Sequence, residues 1–308
     1  MSTIVDMRVG VTTVSFSSNQ VLLDKLRETG FVIKVNPFGR RLTPEELIEF
    51  LKDCDSAIIG LDKINSAVLA SCPRLKLISK YGVGLDNIDF AACESFNVNV
   101  RYPIGVNKRS VSEMALAMSL GLVRNIYKTS LELKNGTWNK SGGFELSGKN
   151  IGIIGFGNIG RDFAELLAPF NVTVYANDVD KNVFKDLPSY VQPSTKDELF
   201  ERCDIISVHT PLTSQTENMI SSRNINKLKD GAILINTARG GIINEKDATE
   251  AIKIGKIGGL GIDAYVIEPA FESELVKLPN VICTPHIGGN SREAVIKMGM
   301  SAIQNLFL

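Results

Sequence analysis

Three glycines spaced Gly155-x-Gly157-x-x-Gly160, with Asp178 lying 18 residues beyond the last, have the chemistry of a phosphate cradle. Gly155 permits a tight turn, Gly157 lets the backbone approach a pyrophosphate, and Gly160 lets a helix pack closely on a strand. The free N–H groups at that helix's start carry a partial positive charge that suits phosphate. An aspartate at this distance accepts hydrogen bonds from ribose hydroxyls and repels a 2′-phosphate. The residues after it, Val179, Asp180 and Lys181, include no arginine. The pattern predicts NAD rather than NADP.

The glycines count only if the right elements surround them. An apolar run, Asn150 to Ile154, precedes them, an amphipathic stretch follows, and a second run from Val172 to Tyr175 leads into Asp178. Ile205 to Val208, Ala232 to Asn236, Gly259 to Asp263 and Val281 to Thr284 read as four more strands, six in all, as in a dinucleotide-binding sheet. A first series precedes it: Arg8 to Thr13, Val32 to Val35, Ala57 to Gly60, Leu75 to Ser79 and Val98 to Tyr102. Helical stretches alternate with these strands. One runs from Ser18 to Gly30; another starts at Thr43, with Pro44 at its first position and Glu46 three residues on. Such alternation predicts parallel sheets with crossover helices. Between the series, Asn107 to Lys134 reads as one long helix, stopped near Asn135-Gly136, in the core or at a subunit contact. Ser291 to Leu308 reads as a last helix. If it returns to the first series, that domain is discontinuous, with crossovers near Tyr102–Lys108 and Pro285–Asn290.

Composition narrows the partners. With 308 residues there is room for two domains. Lys+Arg, 34, balances Asp+Glu, 34, which argues against a nucleic-acid surface. The N-terminus lacks a secretory pattern, and the apolar stretch from Met114 to Val123 is too short to span a membrane. Five scattered cysteines without a CxxC pair suggest free thiols in the cytoplasm. Two histidines far apart, His209 and His286, and no clustered cysteines make a metal site unexpected.

Three further segments follow strands, where a doubly wound sheet places chemistry: AILINTARGGIINE with Arg239, GLGIDAYVIEP with Asp263 and Glu268, and VICTPHIGG with His286. Together with the glycine loop and KYGVGLDNID (Lys80 to Asp89), they make the chain resemble the D-isomer-specific 2-hydroxyacid dehydrogenase family, nearest its phosphoglycerate dehydrogenase branch. Taken singly, each side chain has an ordinary structural role open to it; order and register together carry the resemblance.

The resemblance implies an α/β chain of two doubly wound parallel-sheet domains with a cleft between them, commonly in a homodimer. Residues 1–102, completed by 287–308, would form a flavodoxin-like substrate-binding domain, and 103–286 a Rossmann-type NAD domain. It makes Arg239, Glu268 and His286 the catalytic group. Arg239 would bind the substrate's carboxylate and carbonyl oxygen with fork geometry. His286 would exchange the proton, and Glu268 would orient and stabilise the imidazolium. The loop Lys80-Tyr81-Gly82-Val83-Gly84 would present backbone N–H groups to the carboxylate of a small anionic 2-hydroxy or 2-keto acid. Asn158 and Ile159 would lie near the pyrophosphate, Thr237 and Ala238 near the nicotinamide half, and Asp263 at its carboxamide. Gly288 and Gly289, and the lining loop His209-Thr210-Pro211, complete the cofactor set.

Members of that family acting on phosphoglycerate usually carry arginine in the segment matching Gly60-Leu61-Asp62-Lys63-Ile64. Here there is none, and Asp62 would repel a phosphate. The chain also ends soon after the His286 segment, so serine feedback through a further regulatory domain is not expected. 3-Phosphoglycerate, glyoxylate, hydroxypyruvate and other 2-keto acids stay open as substrates. A non-catalytic NAD-sensing protein is the alternative of another class.

Overall fold

The computed structural model describes residues 7–307. Twelve strands run β1 (Arg8–Val11), β2 (Val32–Val35), β3 (Ser56–Ile59), β4 (Leu77–Lys80), β5 (Asn99–Arg101), β6 (Asn150–Ile154), β7 (Thr173–Asn177), β8 (Val191–Pro193), β9 (Ile205–Val208), β10 (Ala232–Asn236), β11 (Ile257–Ile262) and β12 (Val281–Cys283). They form two sheets, ordered β2-β1-β3-β4-β5 and β12-β11-β10-β9-β6-β7-β8, in which every pairing is parallel. Helices connect the strands in an α/β architecture. The central strands β3, β9 and β10 are buried along their whole length, as helices on both faces require.

Two compact units follow the sheets: residues 1–107 with 289–308, and residues 108–288. Within the first, the closing helix Arg292–Gln304 packs on the helix Gln20–Arg27 and on β4. Met298, Ala302, Ile303 and Leu306 share a core there with Val9, Val11 and Leu22. Ser79 Oγ donates to the Ala302 carbonyl at 2.7 Å, and Arg101 Nη1 to that of Asn305 at 2.8 Å. Within the second unit, the helix Lys108–Val123 lies against the helix Asn158–Leu167. The two are tied by the buried Asp162, which accepts from Ser112 Oγ and pairs with Arg109 at 3.1 Å.

The local signals at Thr43 act as read. Its hydroxyl takes the Glu46 N–H, Glu46 reaches back to the Thr43 N–H, and Pro44 opens the helix Pro44–Leu51. Four expectations change. The long helix is two, Lys108–Val123 and Ile126–Lys134, with Asn125 left-handed at φ 52°. The segment 141–144 straps the break. Phe144 N–H takes the Val123 carbonyl at 2.8 Å, and Gly143 lies so close that a Cβ there would sit 1.9 Å from the same oxygen. The expected helix from Ser18 begins instead at Gln20, capped by Asn19, after a separate turn Val14–Ser17. The second sheet has seven strands, because β8 is a three-residue edge strand containing proline, too short to show as an apolar run. The last helix spans Arg292–Gln304 rather than reaching Phe307.

Candidate active site

The glycine loop joins β6 to the helix Asn158–Leu167 in the 108–288 unit. Gly155 is left-handed at φ 94°, and a Cβ on it would stand 2.5 Å from the His209 carbonyl oxygen. A Cβ on Gly160 would stand 2.1 Å from the Gly155 carbonyl oxygen. Backbone therefore touches backbone at both positions, which only glycine allows. Nothing lies within 4 Å of where a Cβ on Gly157 would be, leaving open space at the helix N-terminus. Asn158 is exposed and Ile159 half-buried there. Asp178, past the end of β7, accepts the Phe156 N–H at 2.7 Å and so braces the loop it was expected to complement.

At the carboxyl ends of β9 and β10, Thr210 Oγ1 and Thr237 Oγ1 are enclosed without a hydrogen-bond partner, an unusual state for buried hydroxyls that a polar ligand would relieve. Pro211 is exposed and Ala238 half-buried beside them. His209 Nε2 meets Ser207 Oγ at 2.9 Å, while its enclosed Nδ1 has no partner. Burial pushes the His209 imidazole down to about 3, so it stays neutral. The open helix terminus, the tight glycines and the two orphaned hydroxyls fit a bound dinucleotide.

His286 lies after β12, left-handed at φ 54°. Its Nδ1 stands 2.9 Å from Glu268 Oε1 and 3.1 Å from Oε2. A carboxylate only accepts, so Nδ1 carries the proton and Nε2 is left for a reactant. The expected pair is thus in contact. Asp263, buried at the end of β11, gives its oxygens to the histidine's own loop: it accepts from Thr284 Oγ1 at 2.6 Å, Ile287 N at 2.8 Å and Gly288 N at 2.7 Å. Those bonds hold the backbone around His286. Arg239 is half-buried, with Nη1 donating to the Ala238 carbonyl at 2.7 Å. Gly240 packs on the Glu268 loop so closely that a Cβ would sit 2.0 Å from the Tyr265 carbonyl carbon.

The loop Lys80 to Gly84 and Gly289 belong to the 1–107 and 289–308 unit. The Lys80 and Tyr81 side chains are buried, and Gly82, Val83 and Gly84 half-buried. Lys80 Nζ donates to the Gly60 carbonyl, and burial pushes the Tyr81 hydroxyl up to about 12. Gly82, left-handed at φ 94°, supplies the turn. Asp62 is buried and takes the Thr12 hydroxyl at 2.5 Å, so it faces inward rather than into solvent. Arg41 donates to the Leu61 carbonyl, bringing a guanidinium from a distant part of the chain to the arginine-free segment.

Two participants were missed in the sequence. The Tyr265 hydroxyl lies 3.2 Å from the Ile262 carbonyl and 3.1 Å from that of Thr284, fastening the Glu268 loop to the His286 loop. Glu245 accepts the Val266 N–H at 2.8 Å and holds the same loop from outside. A tyrosine three residues past the end of β11, and an acidic residue opening a helix, are the signals that could have found them.

Residues 116–288 match the D-isomer specific 2-hydroxyacid dehydrogenase, NAD binding domain family. The chain is 36% identical over 275 residues to a hydroxypyruvate reductase of Thermotoga maritima, covering 87% of this chain and 89% of that one. It is 34% identical over 291 residues to a D-3-phosphoglycerate dehydrogenase of Haemophilus influenzae, covering 91% and 70%. The structure of a D-lactate dehydrogenase from Aquifex aeolicus, complexed with NAD and lactic acid, superposes with a TM-score of 0.85 at 26% identity, covering 97% of this chain and 94% of that one.

Proposed function

Since the chain belongs to the D-isomer specific 2-hydroxyacid dehydrogenase family and is an NAD-dependent oxidoreductase, we propose that Arg239, Glu268 and His286 interconvert a 2-keto acid and its D-2-hydroxy acid, with no phosphate on the substrate. The observation that carries the catalytic reading is the contact between His286 Nδ1 and Glu268 at 2.9 Å. NAD, when bound, supplies or accepts the hydride at the substrate's C2. Gly155, Gly157, Gly160, Asn158 and Ile159 would hold its pyrophosphate, Asp178 the adenosine ribose, and Thr210 and Thr237 would give their unpartnered hydroxyls to the cofactor. In reduction, Arg239 polarises the C2 carbonyl, and His286 donates the Nε2 proton to the oxygen as it gains charge. Glu268 stabilises the imidazolium before that transfer. In oxidation, His286 takes the hydroxyl proton back. The backbone of Tyr81 to Gly84 would receive the substrate carboxylate.

The unphosphorylated substrate is supported by the arginine-free segment Gly60 to Ile64 and by the hydroxypyruvate reductase relative. The Arg41 contact at Leu61 favours the phosphorylated alternative. NADH oxidation with hydroxypyruvate, glyoxylate, pyruvate and 3-phosphohydroxypyruvate in parallel tests both readings. The first two are expected to lead, with His286→Ala lowering turnover by ~10²–10⁴-fold. A clear preference for 3-phosphohydroxypyruvate would overturn the unphosphorylated substrate class, and silence with all four, NADH still binding, would overturn this substrate assignment in favour of another acid or a non-catalytic NAD-sensing role.

We further propose a cytoplasmic homodimer. Five free cysteines, four of them buried, suit a reducing compartment. Ile126 and Leu133 on the helix Ile126–Lys134, and Trp138 after it, are exposed apolar side chains of the kind a second copy would cover. Sedimentation of the unaltered protein and of Trp138→Asp measures this; a monomeric parent would sink it.

A further inference from the structure

We propose that Asn236 is a positioning residue for Arg239, acting through both ends of the turn Thr237 to Arg239. Asn236 ends β10, the strand between β9 and β11, where it lies in register with Val208 and Ile262. It is 1% exposed. Its backbone carbonyl accepts the Asp263 N–H at 3.0 Å, so the residue is already fixed by the sheet.

The side chain spans the turn. Oδ1 accepts the Ala238 N–H at 3.1 Å, and Nδ2 donates to the Arg239 carbonyl at 2.8 Å. One partner is a donor and the other an acceptor, so only the neutral amide satisfies both and its orientation follows from them. The peptide after Ala238 is held from its other side, because Arg239 Nη1 donates to the Ala238 carbonyl at 2.7 Å. Moving the Ala238 peptide would therefore re-aim the guanidinium. Just past the turn, Gly240 touches the Tyr265 backbone, three residues before Glu268. Asn236 thus sets the register of the arginine turn against the loop that carries the histidine's partner, without itself meeting substrate.

The proposal rests on the dehydrogenase reading of Arg239. It is tested by a double-mutant cycle of Asn236→Asp and Arg239→Ala, with Asn236→Ser in parallel as a variant that adds no charge. The readouts are kcat/KM for the preferred 2-keto acid with NADH, kcat and KM separately, and Tm. Asn236→Asp replaces the Nδ2 donor with an oxygen facing the Arg239 carbonyl. It is expected to lower kcat/KM by roughly 10–100-fold at neutral pH through misplacement of the guanidinium. In the Arg239→Ala background the same change is expected to cost less than about 3-fold, because coupled residues are not additive. Additive losses, an unchanged kcat/KM in either single Asn236 variant, or loss of fold in both would overturn the proposal. An unaltered enzyme silent with every acid would overturn the dehydrogenase reading and this proposal with it. An active enzyme with an additive cycle would overturn this proposal alone.

Discussion

Glu268 Oε1 accepts from His286 Nδ1 at 2.9 Å and from the Tyr265 N–H at 3.1 Å, so one carboxylate oxygen both orients the imidazole and closes its own loop. Glu268→Gln keeps the second contact and can keep the first, but removes the negative charge. A loss of about 10–100-fold in kcat is expected, against ~10²–10⁴ for His286→Ala. Steady-state kinetics on both variants decides it. A fully active Glu268→Gln enzyme would reduce Glu268 to a structural role.

Gly160→Ala puts a methyl group 2.1 Å from the Gly155 carbonyl oxygen and 3.0 Å from Ile153 Cγ2. The helix must retreat from the glycine loop. Overpacking of this kind costs about 1–3 kcal/mol and would weaken NADH binding as well. Fluorescence titration with NADH, beside a thermal melt, reads both effects; unchanged affinity would show that the helix does not serve the cofactor.

Asp178 is expected to discriminate between the two nicotinamide dinucleotides. Asp178→Ala removes the charge that repels a 2′-phosphate and also frees the Phe156 N–H it accepts. The ratio of kcat/KM for NADH over NADPH should fall by roughly tenfold or more, while NADH itself binds less well. A ratio that stays put would assign the selectivity elsewhere.

His209 gives stability a pH dependence. Its imidazole is neutral in the fold, pushed down to about 3 by burial, but titrates near 6.5 when unfolded. The unfolded chain therefore binds the extra proton, and this contribution, complete above about pH 6.5, is lost as pH falls toward 3. The slope from this one site is at most about 1.4 kcal/mol per pH unit. The chain has only two histidines, so His209→Gln should visibly flatten the dependence between pH 6.5 and 4.5 in denaturant titrations without cofactor. An identical slope in the variant would show that the ring is already protonated in the fold.

What could be read from the sequence was whatever depends on neighbours along the chain. The capping box at Thr43 and Glu46 involves residues within one helical turn, and the strand runs β6, β9 and β10 coincide with mainly apolar stretches, each holding a single polar residue (Asn150, Ser207 and Asn236). Asp178 and the glycine spacing were legible because one strand–helix–strand unit contains them all. The break at Asn125 was not, since it depends on a strap whose Gly143 and Phe144 lie some twenty residues away. The inward turn of Asp62 was hidden for the same reason: its partner is Thr12. Arg41 at Leu61 and the Tyr265 hydroxyl between two carbonyls are likewise products of folding rather than of any local pattern.

The helix Arg292–Gln304 completes a core begun by Val9, Val11 and Leu22, and this order matters during translation. A ribosome making this chain releases every residue of the 108–288 unit before the segment that finishes the other one. The interrupted unit must wait, its apolar face uncovered, while its neighbour's contiguous stretch can already fold. A nascent chain that ends at residue 290 of this sequence, carried clear of the exit tunnel on an unstructured linker, should thus protect the glycine loop from proteolysis yet leave β1 and β4 open to chaperones. Full protection of those strands would appear only after the final helix emerges.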